Sequence, residues 1–150
     1  MKKIVVAVDF SEHSTNIANF ALKLAEINKA EILLFHTIIK PYYFSSPSIP
    51  EVFEYNQLSQ NDIIVDARST AINKLNDLIK SLDEQSGANV KIFSKIAEGV
   101  FEEDLETFCS DYFPSLIIIG SKGIDESNFL FGNRTIGVFN KSKFPVIAVP

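Results

Sequence analysis

Residues 3 to 9 have the sequence Lys-Ile-Val-Val-Ala-Val-Asp. Its apolar run, 4–8, is mostly β-branched and shows no polar alternation, which is typical of a strand covered on both faces in a parallel sheet. The next segment, 11–28, places apolar residues at helical spacing, with Ser11 or Ser14 as the predicted N-cap. The sequence therefore predicts a strand, a short turn carrying Asp9, and a helix.

The same alternation continues along the chain. A loop is predicted from Pro41 to Pro50, because three prolines and three serines fall there. Further strands are predicted at 31–38, 90–96, 115–119 and 143–149, and further helices at 59–82, from 101 to about 109 and from 134 to about 141. The strand at 90–96 alternates polar and apolar residues, so we expect it at a sheet edge. Five strands and four helices predict one open α/β domain spanning 1–150.

Composition excludes several classes of protein. Lys and Arg number 14 against 19 Asp and Glu, a net charge of -5, which is the wrong sign for coating nucleic acid or anionic membrane by charge. No apolar run approaches the roughly 20 residues of a membrane span. The single Cys109 and the widely separated His13 and His36 favour a reducing compartment and give no metal-ligand spacing. We expect a mature, cytoplasmic protein without a metal site.

Polar residues and glycines gather where the predicted strands end. Ligands of open parallel sheets bind outside the carboxyl ends of the strands, which here carry Asp9, Thr37, Gly99 and the segment 120–133. Gly120-Ser-Lys-Gly123, eight residues, then Gly132-Asn-Arg-Thr before a helix fits a phosphate cradle, because glycines and helix N-terminal amides approach anions closely. Plain turn residues explain the same glycines equally well. Asp9, for its part, is either a ligand-binding carboxylate or a cap of the first helix.

These segments together resemble the universal stress protein family. The resemblance rests on Val-Ala-Val-Asp9-Phe-Ser, Leu-Leu-Phe-His36-Thr37, Glu98-Gly99, and Ile-Ile-Ile-Gly120 through to the last strand, and it covers essentially the whole chain. It implies a Rossmann-like parallel sheet of strand order 3-2-1-4-5 with helices on both faces. It also implies a homodimer paired through the last strand, Phe144 to Val149.

The ATP-binding branch of that family implies particular site residues. Its pattern is Gly, two residues, Gly, nine residues, then Gly followed by Ser or Thr. This chain departs twice, because the spacer from Ile124 to Phe131 has eight residues and an Asn replaces the hydroxyl residue. By resemblance, Asp9 holds the ribose and Thr37 lies against adenine. The residues implied at the nucleotide are Asp9, Thr37, Gly120, Gly123, Gly132 and Asn133.

Two functions remain open. The first is a cytoplasmic stress-response or signalling protein that binds ATP, ADP or AMP, with or without Mg²⁺. Such a protein would act through dimerisation and a protein partner. The second is a nucleotide-free interaction module, favoured by the shortened spacer. Efficient ATP hydrolysis is not expected, because the sequence offers no identifiable water-activating residue near the glycines and no Walker motif.

Overall fold

The computed structural model describes residues 2–39, 50–122 and 132–150, with the backbone alone for 50–61. These ranges contain the predicted alternation of strands and helices. The elements are β1 (Lys2–Ala7), α1 (Ser14–Asn28), β2 (Ala30–Ile38), α2 (Pro50–Ser86), β3 (Ile92–Glu98), α3 (Phe101–Tyr112), β4 (Leu116–Gly120), α4 (Asn133–Lys141) and β5 (Val146–Val149).

The strands form one parallel sheet of order β3-β2-β1-β4-β5, which confirms the predicted fold class and strand order. β1 lies at its centre, with Val6 opposite Leu34 of β2 on one side and Ile118 of β4 on the other. A parallel pair needs a crossover connection, and each helix supplies one. All five carboxyl ends therefore meet along one edge, called the carboxyl edge below.

Helices cover both faces of the sheet. On one face, Ile4, Val6 and Val8 pack with side chains of α1 and α2. On the other, Val5 and Ala7 pack with side chains of α3 and α4. Successive side chains of a strand point to opposite faces, so the unbroken apolar run of β1 fills two cores at once.

The third strand lies at a sheet edge, as its alternation predicts. Phe93 and Ser94 are exposed there, and Ile96 packs against the core of the α1 and α2 face. The strand begins at Ile92 rather than Val90, because Val90 is buried in the core without joining the ladder. Val90 is thus apolar because it is buried in the core, not because it pairs with a neighbouring strand.

The second helix is longer than predicted. It has 37 residues and begins at Pro50, whereas the sequence placed Pro50 in a loop and the helix start near Ser59. Proline fits the first helical position, where its missing N–H is not needed, so it marks a helix start as readily as a loop. The rest of the predicted loop, 41–49, lies outside the described residues. None of the described helices is both long and apolar enough to cross a membrane.

Only part of α2 lies on the sheet. Its residues Ala71, Leu75 and Leu82 are buried, whereas Ile63 and Val65 are mostly exposed. Between them, Arg68 donates a hydrogen bond of 2.6 Å to Glu98 at the carboxyl end of β3. The contact places Arg68 level with the carboxyl edge, so the helix contacts the sheet through its later turns.

We expect Leu75→Ala to destabilise the fold by about 2 to 5 kcal/mol, because it leaves a cavity where a side chain only 1% exposed now packs. Urea unfolding measures the effect. The matched control is Ile72→Ala, one turn earlier and 43% exposed, for which we expect a change within about 0.5 kcal/mol. Equal losses in the two variants would contradict the described orientation of α2.

Candidate functional site

Asp9, Thr37 and Gly120 lie at the carboxyl edge, on three neighbouring strands or just beyond them. Ala7 of β1 is opposite Phe35 of β2, so two further residues on each strand bring the chain to Asp9 and Thr37. Gly120 is the last residue of β4, the strand on the other side of β1. The sheet topology thus gathers these three predicted site residues at one edge.

The Asp9 carboxylate is held by the start of α1. Its Oδ1 accepts hydrogen bonds of 3.0 Å from the Ser11 backbone N–H and the Ser14 hydroxyl. Burial alone would raise the pKa of Asp9, but the hydrogen bonds from Ser11 and Ser14 outweigh it, and the pKa lies below the ordinary value. Asp9 is therefore an ionised acceptor at neutral pH.

The predicted N-cap of α1 was wrong. His13 occupies that position, and no side chain of the described residues caps the helix by a hydrogen bond. Ser11 lies two residues before the N-cap and donates its backbone N–H to Asp9, whereas Ser14 lies inside the helix and donates its hydroxyl to the same carboxylate. Asp9 does not cap α1 either, since the N–H that it accepts from Ser11 closes an Asx turn before the helix.

Phe10 follows Asp9 in the left-handed backbone region, at a φ of 59°. Such a conformation costs a bulky residue roughly 1 to 3 kcal/mol, so surrounding contacts must hold it. The Phe10 ring lies 4.3 Å from the His36 ring, centroid to centroid, and Lys74 Nζ lies 5.3 Å from the Phe10 centroid. This turn could not be predicted from the sequence, because the side-chain type of Phe does not predict a positive φ.

His36 links the ends of β1 and β2. Its Nδ1 lies 2.8 Å from the Val8 carbonyl oxygen, which can only accept, so Nδ1 carries the hydrogen. Burial, with the charges of Arg134 and Lys74, lowers the pKa of His36, although the Val8 carbonyl and Asp9 oppose the shift. A neutral His36 therefore supports the Phe10 turn. Sequence reasoning used His36 as part of the family motif and found no metal-ligand partners for it, but it missed this supporting role.

Thr37 is buried, with 9% of its surface exposed, and it is opposite Ala97 of β3. Its hydroxyl oxygen is fully enclosed and has no hydrogen-bond partner among the described residues. Most buried polar side-chain atoms have a partner, and the enclosed hydroxyl oxygens of Thr37 and Ser11 are two exceptions among the described residues.

The start of α4 is fastened to the end of β4. The Gly132 N–H donates to the Ser121 carbonyl over 2.8 Å, and the buried Thr135 hydroxyl donates to the Gly120 carbonyl over 2.7 Å. These bonds hold the N-terminal amides of α4 at the carboxyl edge. Sequence reasoning assigned no role to Thr135, although it lies one helical turn after Gly132.

Gly120 has a packing role that spacing did not suggest. A Cβ built on it would lie 3.0 Å from Ile17 Cδ1 of α1 and 3.3 Å from the Lys122 carbonyl oxygen. Contacts this short force the neighbours to move, so Gly120 allows α1 to approach β4 closely. The glycine at the end of β4 is thus explained by packing without reference to a ligand.

Of the remaining predicted site residues, the structure describes Gly132 and Asn133 but not Gly123. Gly132 is the N-cap of α4 at φ −70° and ψ 157°, a conformation open to any residue, so the turn itself does not require glycine. Asn133 is the exposed first residue of α4. Gly123 and the spacer 124–131 lie outside the described residues.

Two cations flank the edge. Arg134 of α4 lies over the Phe101 ring, with its guanidinium carbon 6.0 Å from the centroid. Lys74 of α2 reaches Phe10 from the other face of the sheet, and both cations act on His36. Positive charge thus stands on both sides of the strand ends, in a protein whose net charge is negative.

Metal and thiol chemistry find no support in this part of the molecule. Across the ranges described, no three His, Cys, Asp or Glu side chains lie together as potential metal ligands. Cys109 is buried in the α3 and α4 face, where burial and the nearby Glu106 raise its pKa to about 12. It behaves as a small apolar side chain, as its place on the helix predicts.

Comparison with known proteins fixes the family. The model of the universal stress protein family matches residues 1–150. The chain belongs to the universal stress protein family. No curated protein matches it.

Solved structures share the fold. The hypothetical protein MJ0577 aligns with a TM-score of 0.79 at 24% identity, over 99% of this chain and 94% of that one. A universal stress protein from Archaeoglobus fulgidus in complex with dAMP gives 0.67 at 19% identity, over 100% and 98%. A universal stress protein in complex with cAMP gives 0.62 at 16%, over 99% and 96%. Relatives of this fold therefore include proteins with adenine nucleotides bound.

We expect the ionised Asp9 of this universal stress protein to stabilise the fold in a pH-dependent way. The lowered pKa means that its contribution is fully present above the ordinary value of 3.8 and is lost as pH falls through the folded-state pKa. The difference in unfolding free energy between wild type and Asp9→Asn should therefore shrink below pH 3.8. Urea unfolding at a series of pH values measures it.

Ser14→Ala tests whether hydrogen bonding causes the lowered pKa of Asp9. Removing one donor should move the Asp9 pKa back toward its ordinary value, which NMR titration of the carboxyl would show directly. An Asp9 pKa that did not respond to Ser14→Ala would contradict the assigned hydrogen bond.

Proposed function

We propose that this universal stress protein binds an adenine nucleotide, ATP or its products ADP and AMP, across the carboxyl edge of its sheet. It would act in the cytoplasm as a stress-response or signalling protein, through dimerisation and a protein partner. The observation that carries the proposal is the ionised Asp9, which Ser11 and Ser14 hold at the carboxyl edge. The dAMP and cAMP complexes of proteins with the same fold support it.

Asp9 suits a sugar. Both of its described hydrogen bonds end on Oδ1, which leaves Oδ2 as the oxygen to accept from ribose hydroxyls. A carboxylate fixed by two donors keeps its geometry without the ligand, so little ordering entropy is lost on binding. Its lowered pKa also makes it a weak base. We therefore propose that the nucleotide is a ligand of this site and is turned over slowly at most.

The phosphates would lie at the start of α4. Amides of a first helical turn have no acceptor within the helix, and the helix dipole favours negative charge there. Gly120, Gly132, Asn133 and Arg134 stand at this point, and Gly123 joins them by family resemblance alone.

The second candidate function is the nucleotide-free interaction module. The eight-residue spacer favours it, because one residue fewer than the family pattern alters the path between two of the predicted glycines. Nucleotide binding by the wild-type protein separates the two functions.

A homodimer through β5 fits the chemistry of the two sheet edges. β3 exposes Ser94 and Lys95, and charged residues on an edge strand oppose pairing with a second sheet. β5 is Val-Ile-Ala-Val, half-buried throughout and uncharged. We propose that two copies pair through β5, which would cover its edge.

We expect nucleotide-stripped protein to bind AMP or ATP in calorimetric titration, and Asp9→Ala to weaken binding by about 1 to 3 kcal/mol, roughly 5- to 150-fold, because a charged acceptor is lost. The matched control is Asp111→Ala, at an exposed carboxylate of α3, which should bind like wild type. A wild-type protein that binds no adenine nucleotide would favour the interaction module.

We expect Ile147→Lys to separate the dimer, because it places a charge in the middle of β5. Light scattering should give twice the chain mass of 16.8 kDa for wild type and one chain mass for the variant. Ser94→Lys makes the same kind of change on the opposite edge strand and should remain dimeric. A wild-type mass of one chain at micromolar concentration would contradict the β5 interface.

A further inference from the structure

We infer that His36 is a positioning residue, which fixes the chain on both sides of Asp9 and so aims the carboxylate at the hydroxyls of a ribose. The inference rests on the proposed nucleotide binding and adds to it a residue that acts without touching the ligand. Its starting point is one imidazole with two separate contacts, one to the residue before Asp9 and one to the residue after it.

The first contact holds Val8. The Nδ1–H of His36 donates to the Val8 carbonyl oxygen over 2.8 Å. The Val8 N–H in turn donates to the Phe35 carbonyl over 2.9 Å, which extends the ladder between β1 and β2 by one residue beyond Ala7. Both polar groups of the Val8 backbone are therefore bound by β2, and Asp9 leaves the sheet from a fixed point.

The second contact holds Phe10, which separates the two groups of the Asx turn. Asp9 Oδ1 accepts from the Ser11 N–H, so the backbone of Phe10 decides whether they meet. Its φ of 59° persists in a bulky residue only where contacts outweigh the strain. The His36 ring, 4.3 Å away, provides such a contact, and Lys74 reaches the Phe10 ring only from an exposed position. Loss of the His36 contact should let this backbone relax and part the Ser11 N–H from the carboxylate.

His36 adds no charge to the site at neutral pH. The ionised groups that act on it are Asp9, Arg134 and Lys74, and its neighbour on β3 is the uncharged Ile96. Burial and the two cations together lower its pKa below the ordinary value of 6.5. Above pH 6.5, replacing His36 by an uncharged residue therefore leaves the charge of the site unchanged. Any effect on ligand affinity at such a pH comes from geometry.

The experiment compares AMP with 2′,3′-dideoxy-AMP, which keeps the base and the phosphate but lacks both ribose hydroxyls. His36→Phe keeps a ring beside Phe10 and removes the donor to Val8, whereas His36→Asn keeps a donor and removes the ring. In calorimetry above pH 6.5, each variant should weaken AMP binding on the order of threefold to tenfold and dideoxy-AMP binding less than about twofold. Adding His36→Phe to Asp9→Ala should cause no further loss of AMP affinity, because His36 acts through Asp9.

A measurement without ligand tests the same link. Hydrogen exchange of the Ser11 amide, followed by NMR, should be faster in both His36 variants, because its bond to Asp9 opens more often. The Phe113 amide, bonded at the far end of α3, should keep its rate. His13→Gln is the matched control, because it changes the other histidine, whose described partner is Glu12, and it should alter neither exchange nor binding.

The outcomes separate this inference from the proposed function. If wild type binds AMP and both His36 variants bind it equally well, the inference alone is wrong. It is also wrong if the variants lose AMP and dideoxy-AMP by the same factor, since that result means a general loosening of the site, or if the Ser11 amide exchanges at the wild-type rate. If wild type binds no nucleotide, the proposed function and the selection of ribose fall together, and the Ser11 exchange rate still decides whether His36 holds Asp9.

Discussion

Burial of β1 on both of its faces is the constraint on which the rest of the molecule depends. Val5 and Val6 point to opposite faces and are each 0% exposed, so both faces of the strand are shielded from water. Each such side chain contributes roughly 1.5 to 3 kcal/mol when removed from water, provided that a helix covers it. Here helices in parallel crossovers cover both faces, and parallel crossovers bring every strand end to the same edge. The location of the site follows from the packing of β1.

The turn after β1 converts that packing into a fixed polar group. The ring contact with His36 stabilises the left-handed backbone of Phe10. His36 in turn donates a hydrogen bond to the Val8 carbonyl oxygen. The same turn presents Asp9 to the donors Ser11 and Ser14. Contacts of neighbouring side chains therefore offset the energetic cost of the strained Phe10 backbone. The carboxylate is held in place before any ligand arrives, which is the general requirement for a precise binding site.

The sequence was most informative where one physical effect dominates. Unbroken apolar runs predicted β1, β2 and β4, and the alternation in β3 predicted its place at the edge, because burial decides both patterns. Prediction failed where two effects compete: Pro50 fits a loop and a helix start, and Ser14 fits a cap and a partner for Asp9. The Phe10 turn and the close packing of Gly120 against Ile17 depend on contacts between distant segments, which no local pattern encodes. The predicted strand ends alone indicated Asp9, Thr37 and the segment 120–133; family resemblance then assigned their roles, and their ligand remains a prediction.

The length of α2 sets the outline of the molecule. At 1.5 Å per residue, its 37 residues extend about 55 Å. A compact domain of this size has a radius of gyration of about 15 Å, and a sphere with that radius of gyration is roughly 38 Å across. Arg68 contacts Glu98 at the carboxyl end of β3, and about 27 Å of helix, from Pro50, precedes this contact. A helix longer than the expected diameter of the domain does not fit within its packed layers, so part of α2 must project past them.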